Sequence, residues 1–116
     1  MKIRLEWPDK NLSPNARLHW AKVSKVKKAY RVQCWADTVR QGSIAPDGIP
    51  LRLELTFYRP TRRSYDRDNL VARMKSGLDG VCDALRIDDK RFTTVVARVS
   101  DQIGGYVEVV ISEDTQ

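Results

Sequence analysis

Asp66-Arg67-Asp68-Asn69, followed about twenty residues later by Asp88-Asp89, is where the chain concentrates side chains able to do chemistry. A lone Asp-x-Asp is common and means little. Here the pair stands among Arg59, Arg62, Arg63, Arg67, Arg73 and Lys75, so one short stretch offers oxygen ligands for a hard cation and positive charge for a polyanion. Magnesium takes near-octahedral oxygen coordination, typically from one or two carboxylates with waters and a substrate phosphate in the remaining positions. Metal-assisted cleavage of a phosphodiester requires that combination.

The elements that must position these residues are legible as periodicities. Ile3, Leu5 and Trp7 alternate with Lys2, Arg4 and Glu6, the pattern of a half-buried strand ending at Pro8. Asp9 to Leu18, with Asn11, Ser13, Pro14 and Asn15, reads as a loop. Trp20, Val23, Val26, Tyr30 and Cys34 recur in steps of three and four, which predicts a helix over about 20–40 and assigns Trp20 to the core. Gly42, Pro46, Gly48 and Pro50 break the chain after it. Leu51, Leu53, Leu55 and Phe57 alternate with Arg52, Glu54, Thr56 and Tyr58 in the cleanest strand of the sequence.

A second helix is predicted over about 67–85, buried through Leu70, Val71, Met74, Leu78, Val81 and Leu85. On its wheel Asp68, Lys75 and Asp79 fall within about 40° of one another, with Asp83 flanking them. Residues 92–99 and 106–111 read as strands joined through Gly104-Gly105 as an antiparallel hairpin. The order β-α-β-α-β-β makes a single α/β (α+β) domain, a mixed sheet of about four strands with two main helices.

At 116 residues the chain suits one domain with one core. With 41% hydrophobic and 31% charged residues, it has neither disordered nor membrane composition. Residues 1–40 hold ten Lys and Arg against three acids, so they carry the whole basic excess, and a nucleic acid is the partner such a footprint suits. A solvated surface is the plainer use of the same charges. A single histidine, His19, excludes a zinc cluster or a two-histidine phosphodiesterase, and Cys34 and Cys82 have no metal-ligand spacing. Both read as buried hydrophobes in a reducing compartment. No apolar run is long enough for a bilayer and no signal peptide opens the chain, which points to a soluble cytoplasmic protein.

The two acidic groups lie at opposite ends of the second helix. A helix over 67–85 is roughly 28 Å long. For the two ends to share a metal, either residues 86–89 run back along the helix or the site is completed across a subunit boundary. The sequence leaves both open.

The runs Tyr65-Asp66-Arg67-Asp68-Asn69-Leu70, Lys75-Ser76-Gly77-Leu78-Asp79-Gly80-Val81-Cys82-Asp83-Ala84-Leu85 and Ile87-Asp88-Asp89 resemble the RusA-type Holliday junction resolvases, small endonucleases of bacteria and their prophages. That family's pattern is D-x-D-N, a lysine four residues before an aspartate, then D-D before a strand, and the likeness covers about residues 59–95. The segment 12–22 also resembles one common in phage-borne members. In the best-known form the lysine follows D-x-D-N by three residues, whereas Lys75 follows Asn69 by six, as in some phage-type relatives.

The resemblance implies a homodimer that binds DNA four-way junctions and nicks two strands symmetrically with magnesium, in a bacterial or phage-infected cell, with no small organic cofactor and no membrane. It implies Asp66, Asp68 and Asp89 as catalytic metal ligands, Asp88 as a weaker fourth, and Lys75 near the scissile phosphate. Arg62, Arg63, Arg67, Arg73, Lys22, Lys25 and Lys28 are the expected DNA contacts, with Asn69 and Asp79 in support. Each has a structural alternative. A helix cap is the lesser alternative for Asp66 or Asp68 and a turn residue that for Asp88, while Lys75 serves equally as the i,i+4 partner of Asp79. Asn69 either orients Asp68 or satisfies helix-start donors, and His19 and Trp20 stand where a DNA contact is open to them.

Overall fold

The computed structural model describes residues 1–42, 44–46 and 50–114, so Gly48 of the expected loop lies outside the described residues. Four strands form one sheet: β1 (Lys2–Glu6), β2 (Leu51–Tyr58), β3 (Phe92–Val99) and β4 (Tyr106–Glu113). Three helices accompany them: α1 (Trp20–Arg40), α2 (Arg67–Arg73) and α3 (Lys75–Leu85). The strand order is β1-β4-β2-β3, with β1 and β2 antiparallel to β4 and β3 parallel to β2. The expected α+β class and mixed four-stranded sheet are therefore observed.

The alternations bury as their period demands. Ile3 and Leu5, then Leu51, Leu53, Leu55 and Phe57, then Val107, Val109 and Ile111 all point to one face and are fully buried there. Tyr30 and Cys34 of α1, Leu70 of α2, Met74, and Val81 of α3 cover them. The opposite face is polar and partly ion-paired, with Arg98 3.6 Å from Glu54 and the Arg4 guanidinium 3.8 Å over the Tyr106 ring.

Two expectations fail. β3 and β4 form no hairpin: β2 lies between them. A two-residue turn joins adjacent strands about 4.8 Å apart, whereas residues 100–105 are long enough to step across one strand. They do so by docking on the end of β2, with Ser100 N–H donating to Phe57 O (2.9 Å), Gly104 N–H to Arg59 O (2.9 Å) and Gly105 N–H to Tyr58 O (2.7 Å). The helical run between β2 and β3 is also broken, at Met74 (φ −81°, ψ −10°). No proline marks the break, and the apolar steps of three and four pass straight through it.

Trp20, assigned to the core by its period, is 76% exposed. It is the first residue of α1, beside the N-cap His19, whose Nδ1 accepts from Ala21 N–H at 3.2 Å.

The cysteines are buried and free, as expected. Burial pushes both thiols up to about 12, and at Cys82 the nearby Asp89 carboxylate adds to the effect. Neither sulfur then carries appreciable thiolate at pH 8. A disulfide-exchange reagent is expected to titrate them only as the protein unfolds. Rapid modification of either in the native state would contradict the packing of α1 on α3.

Candidate functional site

Asp66 is the N-cap of α2, its carboxylate accepting from Asp68 N–H at 3.1 Å, so the capping alternative holds for Asp66. That bond leaves lone pairs on Asp66 unused. Asp68 caps nothing: its side chain is 86% exposed, with Arg67 Nε 3.8 Å away as its ion-pair contact. Asp66, Arg67 and Asp68 line an open pocket of about 500 Å³ against Ala97, Arg98 and Val99 of β3. Two adjacent carboxylates with free oxygens, facing solvent beside two guanidinium groups, match what a hydrated magnesium ion and a phosphate accept.

Asn69 neither orients Asp68 nor caps α2. Its amide donates to Ser13 Oγ at 2.7 Å and its carbonyl accepts from Arg73 Nε at 3.0 Å, tying the loop after β1 to α2. Arg73 also lies 5.9 Å over the Tyr65 ring. An expected DNA contact is thus partly engaged within the protein.

The second acidic group forms where α3 ends. Arg86 adopts a left-handed conformation (φ 56°, ψ 47°), its N–H bonded to Cys82 O, and it turns the chain towards Asp88 and Asp89. Asp88 accepts from Lys90 N–H at 2.9 Å and caps a 3-10 turn, Asp89–Arg91. The Lys90 amide, then the Asp89 side chain, hold the Asp88 carboxyl below the usual carboxylate range. Asp79, Asp83, Asp88 and Asp89 share a shallow pocket of about 450 Å³ with Arg31 and Arg86. Asp83 is taken by Arg31 in a two-pronged pair at 2.7 and 2.9 Å, which also lowers its pKa.

The two acidic groups line separate pockets with no residue in common. Among the described residues no three His, Cys, Asp or Glu side chains come together as a metal-binding group. The break at Met74 shortens each helix, but Asp66 and Asp68 still do not meet Asp88 and Asp89 within one chain.

The break also undoes the wheel that put Asp68 beside Lys75 and Asp79, because a helical face is defined only along a continuous helix. Lys75 lines a third pocket of about 640 Å³ with Lys27, Arg73, Ser76 and Asp79. Lys75 and Asp79 are i,i+4 on α3 and yet form no ion pair.

Lys22, Lys25 and Lys28 are exposed on α1, and Arg62, Arg63 and Arg67 are exposed at and before the start of α2. Among the described residues the side chains of Lys22, Lys25, Lys28, Arg62 and Arg63 have no ion-pair partner. That leaves their charge free for a ligand.

A cleft of about 1010 Å³ lies between α1, the loop after β1 and the loop before α2. Trp7, Tyr65, Gln33 and Arg63 line it, and so does Asp66. The sequence does not mark it, because its walls come from three separated segments and only Tyr65, next to Asp66, hints at it. Asp37 carries no sequence signal either. It is 4% exposed and accepts from Glu6 N–H, Gln33 and Arg40, so it locks α1 to β1.

These features define a small α+β domain with a basic helix and two exposed acidic groups flanking a helical pair. No family model matches the chain. It is 41% identical over 120 residues to an uncharacterized protein of Xylella fastidiosa (strain Temecula1), a match that covers 98% of this chain and 77% of that protein. The chain belongs to the family of that protein. Among the described residues no helix is long and apolar enough to cross a membrane.

Proposed function

We propose that the protein is a magnesium-dependent, structure-selective DNA endonuclease that resolves four-way junctions as a homodimer. The observation that carries this reading is the pair of exposed carboxylates of Asp66 and Asp68 at the start of α2, in one pocket with the guanidinium groups of Arg67 and Arg98. The ordered likeness of residues 59–95 to RusA-type resolvases supports it.

Asp66 and Asp68 would hold magnesium, which supplies a water of lowered pKa and neutralises charge developing on the phosphate. Arg67 and Arg98 flank the same pocket and hold a phosphate by charge-assisted hydrogen bonds. Arg62, Arg63 and the lysines of α1 extend the positive surface along the backbone of a DNA arm. The separation of the two acidic groups favours completion of the site between chains, with Asp88 and Asp89 of one protomer approaching Asp66 and Asp68 of its partner. A two-fold dimer also presents two equivalent sites to a nearly two-fold substrate.

The absence of a three-carboxylate group among the described residues favours a second reading, a DNA-binding module without catalysis. Incubation with a mobile four-way junction and a linear duplex, each with and without magnesium, separates the two. Paired nicks in the junction alone, and only with magnesium, are expected. Tight binding without cleavage would establish the silent module, and equal cutting of linear duplex would remove structure selectivity.

Replacing Arg62 and Arg63 together with alanine is expected to weaken junction binding and flatten its salt dependence, since each lost phosphate contact removes roughly 0.9 from the slope of log K against log salt. Neither side chain has an ion-pair partner among the described residues, so the fold should be unaffected. An unchanged slope would show that both arginines stay in solvent.

A further inference from the structure

We infer that the 1010 Å³ cleft between α1 and the loop before α2 is a binding site for one unpaired nucleotide, with the base on Trp7 and Tyr65 and the phosphate on Arg63 and Lys10. The proposal rests on the nuclease reading for its biological occupant, an unpaired residue at a branch point.

The chemistry of the walls selects this ligand. Trp7 and Tyr65 meet edge to face at 5.4 Å and 70°, and Trp7 meets Phe57 at 6.1 Å and 83°. Core contacts therefore fix both rings, and both still line the cleft. Aromatic surface of this kind is what unpaired bases stack on, whatever their identity. Asn15 adds a side-chain amide, and Gln33, one N–H of which donates to Asp37, adds its carbonyl and second N–H, groups that pair with the edge of a base. Glu6 and Asp9 add acceptors that suit the N–H groups of a base and repel its phosphate. The phosphate then falls to Arg63 and Lys10, neither of which has an ion-pair partner among the described residues.

Size and position agree. The volume is at the upper end of small-ligand pockets, enough for one nucleotide and too small to enclose a duplex. Asp66 lines both this cleft and the pocket it shares with Asp68, so a nucleotide in the cleft leads its chain directly to the proposed metal site. A duplex end or a fully paired arm offers no free base to fill the cleft, and a branch point does.

The test needs neither magnesium nor cleavage. Isotope-labelled wild-type protein is titrated with 2′-deoxyadenosine 5′-monophosphate, and in parallel with inorganic phosphate, while the Trp7 indole and the Asn15 and Gln33 side-chain amides are followed by NMR. Saturable shifts at all three with the nucleotide, but not with phosphate, are expected. Arg63→Ala should weaken this binding by about tenfold, the loss of one charge-assisted contact. Tyr65→Leu should weaken it while keeping the core filled, and retained strand shifts would show that the variant folds.

Equal shifts with phosphate, or shifts confined to the exposed Trp20 and Trp35, would overturn the assignment. A protein that binds the nucleotide here but leaves junctions uncut keeps the cleft and loses the nuclease reading. One that cuts junctions without binding it loses the cleft alone.

Discussion

Asp68→Asn is expected to abolish magnesium-dependent cleavage of a four-way junction while leaving junction binding equal or tighter. The prediction is clean because Asp68 contributes little to the fold beyond an acidic charge in the first turn of α2. Its side chain is 86% exposed, it caps no helix, and its ion pair with Arg67 is long at 3.8 Å. Exposed pairs of that kind contribute at most about 1 kcal/mol. Removing the charge therefore takes away a proposed metal ligand and a source of repulsion towards phosphate, and little else. Cleavage and gel-shift assays on the same junction check both halves. Cutting at near the wild-type rate would remove Asp68 from the site.

Asp66 needs a more careful substitution, because it caps α2 as well as facing the pocket. Asparagine caps as well as aspartate, so Asp66→Asn tests ligation alone, whereas Asp66→Ala adds a stability loss of about 1 kcal/mol. At the other acidic group, Asp89→Asn should behave like Asp68→Asn if the site is completed between chains. Asp88 is already engaged with the Lys90 amide, and its replacement should cost less activity.

What was legible in the sequence follows the range of the forces involved. The alternation of Leu51 to Tyr58 and the three-and-four spacing from Trp20 to Arg40 reflect which side of one element is dry, and both elements appear with the expected ends. Strand order depends on what lies between elements, and nothing local to Phe92–Val99 says that its neighbour is β2 and not β4. The break at Met74 leaves the apolar steps intact, so periodicity ran two helices into one. Trp20 shows the converse error: its spacing fits the stripe, but as the first residue of α1 it is 76% exposed. The carboxylates were found because they are clustered in sequence, and the cleft was missed because Trp7, Gln33 and Tyr65 are clustered only in space.

Gly80→Ala is expected to destabilise the protein by about 3 kcal/mol, at the upper end of the usual overpacking cost. On helix propensity alone the sign would be opposite, since alanine is favoured over glycine inside a helix by about 1 kcal/mol. Packing reverses it. A Cβ at Gly80 would lie 2.1 Å from the carbonyl oxygen of Arg31 and 3.1 Å from the amide nitrogen of Trp35, both backbone atoms of α1. Backbone cannot rotate aside as a side chain does, so α1 and α3 must separate. At Gly77 a Cβ would meet the Tyr30 ring at 2.4 Å and the Cys34 sulfur at 2.9 Å, both buried in the core, with the Tyr30 hydroxyl held by Glu6 O at 2.7 Å. Gly77→Ala should therefore destabilise the protein as well. For a domain of this size the loss at Gly80 corresponds to a fall in Tm of roughly 10–20 °C. Thermal unfolding followed by circular dichroism measures it, and an unchanged or raised Tm for Gly80→Ala would mean that the two helices do not approach this closely. The contact matters beyond stability, because α1 carries Lys22, Lys25 and Lys28 while α3 carries Lys75 and leads into Asp88 and Asp89. A variant with α1 and α3 pried apart would lose the fixed spacing between the basic face and the acidic turn, so its DNA binding and cutting should fall together even at temperatures where it remains folded.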